Sequence, residues 1–420
     1  MSKVTFVTTF TLAAMLAMAP CLAQAGWMSL ATGTNNTLHS IHFPTDDLTG
    51  YTVGDTGLIL KTMDGGVNWR RLTTGVNTNL WAVHFPTNTE TGYAVGFSGL
   101  ILKTTNGGTL WMSQNSGTTE PLLTVYFPVD AQTGYAAGDS CIILKTTDSG
   151  INWIRQASSG WLRLWSIHFP VDVQTGYAVG DYGTILGTTD GGVTWASQTS
   201  GIHLDLRSVH FPVDAQTGYA VGGRITTPRT FILKTTDRGI HWESQLDDTG
   251  AILRSVVFPA NALTGYAVGY WGKIVKTTNG GALWTGQASG TGIWLASVHF
   301  PLGDQTGYAA GEYGTILKTT DGGTGVEERP EDRGQRLEVR LKATPNPFTT
   351  FAVVPGKDKE TFELYDIAGR KVGTYRGDRI GANLPAGVYF LKYQEMLKQP
   401  MNQVQGMVQH DEIVRIVKLR

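Results

Sequence analysis

Lys61-Thr62-Met63-Asp64-Gly65-Gly66-Val67-Asn68-Trp69 is the stretch whose reading decides the fold. It recurs at residues 103–111, 145–153, 187–195, 234–242 and 276–284. A seventh copy starts as Lys318-Thr319-Thr320-Asp321-Gly322-Gly323 but has Val326 where tryptophan would stand. Each copy reads as a β-hairpin corner. A strand ending in Leu-Lys-Thr enters, Asp or Asn hydrogen-bonds the turn backbone, and glycine takes the positive φ. The tryptophan then opens the return strand and covers the corner.

Outward from this corner the self-similarity spans about 300 residues. Phe-Pro recurs at Phe43, Phe85, Phe127, Phe169, Phe211, Phe258 and Phe300, 42 residues apart except for one step of 47. Gly-Tyr follows at Tyr51, Tyr93, Tyr135, Tyr177, Tyr219, Tyr266 and Tyr308. The five extra residues fall within 223–231, in the fifth repeat. One repeat holds four short strands, A to D; in the second they are predicted over 80–85, 92–96, 100–104 and from Trp111 onward. Four strands in about 42 residues is the size of a propeller blade. The last repeat lacks its tryptophan strand, while the chain offers an orphan one, Trp27-Met28-Ser29-Leu30, 16 residues before Phe43. Pairing these two closes the ring and leaves no repeat with an open edge. The predicted class is all-β: a seven-bladed β-propeller closed by the N-terminal strand over residues 26–326, plus a small C-terminal β-sandwich domain.

These motifs resemble the Asp-box (BNR) propellers, and among them the repeat family that contains photosystem II stability and assembly factors. The resemblance implies a structural role for the box residues Asp64, Asn106, Asp148, Asp190, Asp237, Asn279 and Asp321. Asn at two of the seven positions suits a turn and does not suit an obligatory metal ligand.

Composition bounds the function. The 53 glycines and 16% charged residues fit many short strands and tight turns. A formal net charge of −1 lacks the basic footprint that nucleic-acid binding needs, so no nucleic-acid partner is expected. Residues 1–25 read as a signal peptide: Lys3, a short apolar run, and a small-x-small site cleaved between Ala25 and Gly26. Cys21 leaves with it, so Cys141 stands alone and no intramolecular disulfide is expected. Residues 327–336 form a charged linker. Residues 337–420 carry Thr344-Pro345-Asn346-Pro347-Phe348, a strand–turn–strand at 364–372, a turn and strand at 384–392, and an apolar/basic alternation at 413–420. In this order they resemble the C-terminal sorting domain of type IX secretion cargo, apart from a Gln- and Met-rich insertion at 394–411. That resemblance implies passage through the periplasm, outer-membrane secretion machinery as a partner, and a secreted or cell-surface location on a Gram-negative bacterium.

The corners between strands A–B and C–D hold the fixed residues, whereas the B–C and D–A loops vary. Trp81, Trp161, Trp165, Tyr182, Trp271, Trp294 and Tyr313 fall at the variable end. The second residue of strand A also varies: His39, Trp81, Leu123, Trp165, Arg207, Arg254 and Ala296. An aromatic, arginine-bearing face suits a sugar ring or a protein hot spot. The candidate ligand face is therefore Trp81, Trp161, Trp165, Tyr182, Arg207, Arg254, Trp271, Trp294 and Tyr313. His42, His84, His168, His210 and His299 share one strand-A position, interrupted by Tyr126 and Val257. They are read as hydrogen-bonded at blade interfaces and not as a metal site. Asp55, Asp139, Asp181 and Glu312 recur in B–C loops and are expected to serve turns. No catalytic residue, cofactor site or metal site is assigned. The expectation is a non-enzymatic binding or scaffold propeller with a glycan or surface-protein partner. The alternatives are a secreted Asp-box glycoside hydrolase, sialidase-like or glucanase-like, and a photosystem II assembly factor-like protein.

Overall fold

A computed structural model describes residues 26–324, apart from 157–159, 225–228 and 249, and a set of strands between 352 and 418. The predicted signal peptide (1–25), the predicted linker (327–336) and residues 344–348 lie outside the described residues. The chain divides into two compact units, Met1–Glu328 and Arg329–Arg420.

The first unit is a seven-bladed β-propeller of four-stranded antiparallel sheets. Six blades run A-B-C-D in sequence order; in the second these are Leu80–His84, Gly92–Gly96, Ile101–Thr104 and Met112–Gln114. The seventh takes its outer strand from the N-terminus. Met28 pairs with Lys318, Ser29 with Leu317 and Leu30 with Ile316. The expected closure is therefore present. Gly26 N also donates to the Asp321 carboxylate, at 3.1 Å to Oδ2, and Trp27 is buried against Phe300.

Each blade interface repeats one packing unit. The strand-B tyrosine of one blade stacks on the Phe-Pro phenylalanine of the next, as Tyr51 does on Phe85 with centroids 3.9 Å apart. The Asp-box tryptophan meets that phenylalanine edge-on, as Trp111 meets Phe85 at 6.1 Å. Such geometry contributes ~0.5–1.5 kcal/mol per aromatic pair beyond area burial. The glycine before each tyrosine makes room for the phenylalanine of its own blade. A Cβ on Gly50 would lie 2.4 Å from the Phe43 ring.

The Asp box closes the corner as expected. Thr62 Oγ1 donates to Asp64 Oδ1 at 2.8 Å, Asn68 N donates to the same oxygen at 2.9 Å, and Gly65 and Gly66 take φ of 69° and 87°. The backbone and side-chain amides of Asn68 hold the Asp64 carboxyl below its usual range. The box also has a job that the sequence reading missed. Its turn carbonyl is gripped by the preceding blade: Gly107 O lies 3.2 Å from the Tyr51 hydroxyl and 2.9 Å from Lys61 Nζ.

The fifth blade absorbs the five-residue insertion in a longer hairpin, Gly218–Arg224 with Arg229–Thr235. In the second unit a four-stranded antiparallel sheet runs Lys371–Arg376, Thr361–Asp366, Gly387–Tyr393, Glu412–Lys418, beside a short pair, Ala352–Val353 with Arg379–Ile380. The strands predicted around 364–372, 384–392 and 413–420 are present.

Candidate functional site

A β-bulge at the same place in every strand A builds the variable face. Between the first and third residues the register with strand B slips, at Leu38/Ser40, Leu80/Ala82, Leu122/Thr124, Leu164/Ser166, Leu206/Ser208, Leu253/Ser255 and Leu295/Ser297. The extra residue in each bulge is the variable second one. A bulge re-aims its side chain out of the pleat. It frees this position from the interblade core, which the first and fourth residues of the strand fill.

Several bulge residues interlock. The His39 and Trp81 rings lie 4.1 Å apart, and Trp81 meets Trp165 edge-on at 6.5 Å. The Arg207 guanidinium covers Trp165 at 3.9 Å and is held by Asp205 Oδ2 at 2.7 Å. Burial in this contact lowers the Arg207 pKa, which Asp205 opposes. Trp294 stacks on the buried Tyr270 at 3.9 Å, and Arg254 sits 5.9 Å from the same ring. Trp81, Trp165, Arg207, Arg254 and Trp294 are half-buried and preset, a geometry that lowers the ordering cost of binding.

The acids correct the sequence reading. Asp55 and Asp181 do more than serve turns. Asp55 Oδ1 accepts from His39 Nε2 at 2.8 Å, and Asp181 Oδ1 accepts from Trp165 Nε1 at 2.7 Å. Asp139 pairs with Arg163 at 2.9 Å. Burial lowers the His39 pKa, partly offset by Asp55, so its ring is biased toward the neutral form. Asp55, Asp139 and Asp181 are thus each tied to a neighbouring side chain, while burial raises the pKa of Glu312, the fourth acid of the set.

The other predicted residues stand at the rim. Trp161, Tyr182, Trp271 and Tyr313 are 93%, 60%, 52% and 68% exposed. Tyr182, Trp271 and Tyr313 occupy the tips of B–C loops in the left-handed region, with φ of 55°, 55° and 52°. A non-glycine residue held there costs on the order of 1 kcal/mol, and here three aromatic rings end up in solvent. The structure thus brings together a half-buried inner set and an exposed outer set. Between blades four and five they flank a polar pocket of about 180 Å³, which His203, Asp205 and Arg224 also line. Sequence reasoning passed over His203 and Asp205. The only signal for Asp205 was its place two residues before Arg207.

The histidine column differs from its expectation in one respect. The imidazoles do bond across blade interfaces: His42, His84 and His299 Nε2 donate to Phe85, Phe127 and Phe43 carbonyls at 3.0–3.2 Å, and His168 and His210 Nδ1 accept from Phe211 and Phe258 N. They also meet one another. His299, His42, His84, Tyr126, His168 and His210 form a continuous arc with centroids 4.8–5.0 Å apart. Burial pushes His84, His210 and His299 down to about 4, and His42 and His168 well below the usual value. Among the described residues no three His, Cys, Asp or Glu side chains converge as metal ligands.

Residues 19–111 and 67–164 match the family model described as Photosynthesis system II assembly factor YCF48. No curated protein matches the chain. Among solved structures it is similar to a YCF48 bound to a D1 peptide, at 19% identity and a TM-score of 0.57, covering 72% of this chain and 99% of that one. It is also similar to YCF48 from Cyanidioschyzon merolae, at 20% identity and 0.57, covering 70% and 98%. The RRP9 WD40 repeats align at 9% identity and 0.58, covering 71% and 98%. At such identities the likeness is one of fold. The chain is a seven-bladed β-propeller, and its early repeats match the YCF48 family model.

Proposed function

We propose that the propeller is a non-enzymatic binding module that takes a segment of a partner protein across the face formed by the B–C and D–A loops. The observation that carries this reading is the ring of bulges, which presents Trp81, Trp165, Arg207 and Arg254 as a preset aromatic and cationic surface. Tryptophan, tyrosine and arginine are the side chains that most often dominate protein interfaces. A protein partner also fits the fold neighbour solved with a D1 peptide. The signal peptide at 1–25 and the sorting region at 337–420 extend the proposal: binding takes place outside the cytoplasm, after export. Mass spectrometry of the protein from its host, with surface and medium separated, tests that part. Retention in the cytoplasm with residues 1–25 intact would overturn it.

Binding is tested by probing the folded chain against a peptide array and a glycan array. The expected result is a set of peptide hits that Trp165→Ala and Arg207→Ala together abolish. Hits confined to glycans would sink the protein-partner reading. The family match over residues 19–164 favours one second reading, an assembly factor for a membrane protein complex. A D1 peptide included on the array separates the two, because an assembly factor of the photosystem type would select it over unrelated segments.

A further inference from the structure

The opposite end of the ring contains one break in its interblade clasp. In six blades a strand-C lysine lies over the strand-B tyrosine and donates to the next Asp-box carbonyl; Lys145 Nζ reaches Gly191 O at 2.7 Å. The fourth blade has Gly187 at this position. Gln198 Nε2 donates to the Arg238 carbonyl at 3.2 Å instead and brings no charge. A cleft of about 580 Å³ lies here between blades four and five, lined by Asp172, Tyr177, Gly187, Asp214 and Arg238 among others.

The surroundings select a cation. Burial disfavours the charge of Lys276, and the next blade's Asp304 and Asp321 favour it. At the fourth blade the equivalent of Asp304 is Ala215 and that of Asp321 is Asp237; Asp172 and Asp214 line the cleft, against the one guanidinium of Arg238. The seven segments between Phe-Pro and Gly-Tyr, which form the A–B corners of this end, hold seven carboxylates and no lysine or arginine. An anionic lipid or nucleic acid is repelled by such a surface. Val171 lines the cleft and is 52% exposed, and on the corners of blades four and five Val193, Val213 and Ile240 are exposed by 63%, 53% and 69%, an apolar collar for an aliphatic neighbour.

We propose that this cleft receives a lysine side chain from a protein partner, its ammonium replacing the interblade lysine that Gly187 omits and its aliphatic neighbours resting on the valine and isoleucine collar. Gly187→Lys supplies the missing group from within. A Cβ at Gly187 meets only the mobile end of Gln198, with Nε2 at 2.8 Å, so the variant can fold.

The test is ligand-observed saturation-transfer NMR on the full chain, with an acetylated and amidated leucine–lysine–leucine tripeptide as probe. Saturation is expected on the lysine methylenes. It should disappear with norleucine in place of lysine and disappear again with Gly187→Lys, whose thermal midpoint should rise. Asp172→Asn with Asp214→Asn should weaken the signal about fivefold through lost charge pairing, and Arg238→Gly should strengthen it. Trp165→Ala, at the other end of the ring, should leave it unchanged. Equal saturation of the norleucine peptide, a signal retained in Gly187→Lys, or no signal in the wild-type chain would each overturn the proposal.

Discussion

The two ends of the propeller are built from the same seven repeats and obey opposite rules. At the end made by the A–B and C–D corners, nearly every copy holds the same side chains, because each corner serves two blades at once. Thr62, Asp64 and Asn68 close their own turn, while the carbonyl of the box in the next blade accepts from Tyr51 and Lys61. At the other end, the strand-A bulge releases one residue per blade from the interblade core, and that residue is of five types in seven copies. Within one chain, repetition therefore marks where backbone and core must be satisfied, and variation marks where the fold has no further use for the side chain. The exceptions at the constant end are as informative: Gly187 departs from lysine, and a cleft lies at that position.

The sharpest way to break this comparison is to make one chemical change at both ends. Trp111→Ala removes a buried ring from an interblade core and should cost about 3–5 kcal/mol in denaturant unfolding. Trp165→Ala should cost less than half of that and remove peptide binding. Equal stability losses would end the distinction between a structural and a binding end.

Gly134→Ala comes next, at about 1–3 kcal/mol, because its Cβ would stand 2.3 Å from the Phe127 ring. Tyr51→Phe should follow at ~1 kcal/mol, since its hydroxyl lies 3.0 Å from Thr89 O and 3.2 Å from Gly107 O. If it left the thermal midpoint unmoved, the constant end would owe its repetition to something other than interblade bonding.

Acid gives a graded measurement. The five axial histidines are held neutral by burial, with pKa values at about 4 or driven well below the usual 6.5. Unfolded, each takes up a proton as pH falls through about 6.5, while the folded ring does not. Their contribution is complete above that pH and is lost as pH falls toward 4, by about 1.4 kcal/mol per pH unit for each histidine. His84→Gln should flatten the slope of stability against pH between 6.5 and 4. A slope unchanged in that variant would mean that the arc titrates normally.

The smallest effect is expected for Asp181→Asn. It keeps an acceptor for Trp165 Nε1 but drops the charge, so binding should fall several-fold with little change in stability.

Much of this was legible in the residues alone. The Asp box, the Phe-Pro and Gly-Tyr periods and the orphan Trp27 strand led to seven blades and their closure, because hairpin corners are local and a ring must pair its last edge. The alternation along 413–420 likewise announced a strand. The candidate face was visible only as a set of variable positions. That Trp165 would bond Asp181, 16 residues on, and lie under Arg207, or that His42 would touch both His84 and His299, depends on side chains that no local pattern brings together.

The sequence by itself determined that the chain forms a closed ring of seven like blades, since turn chemistry and strand periodicity act over a few residues and repeat. Tertiary structure alone decided which variable residues became a face. The bulge, the left-handed loop tips and the missing strand-C lysine acquire meaning only when neighbouring blades set what each side chain meets.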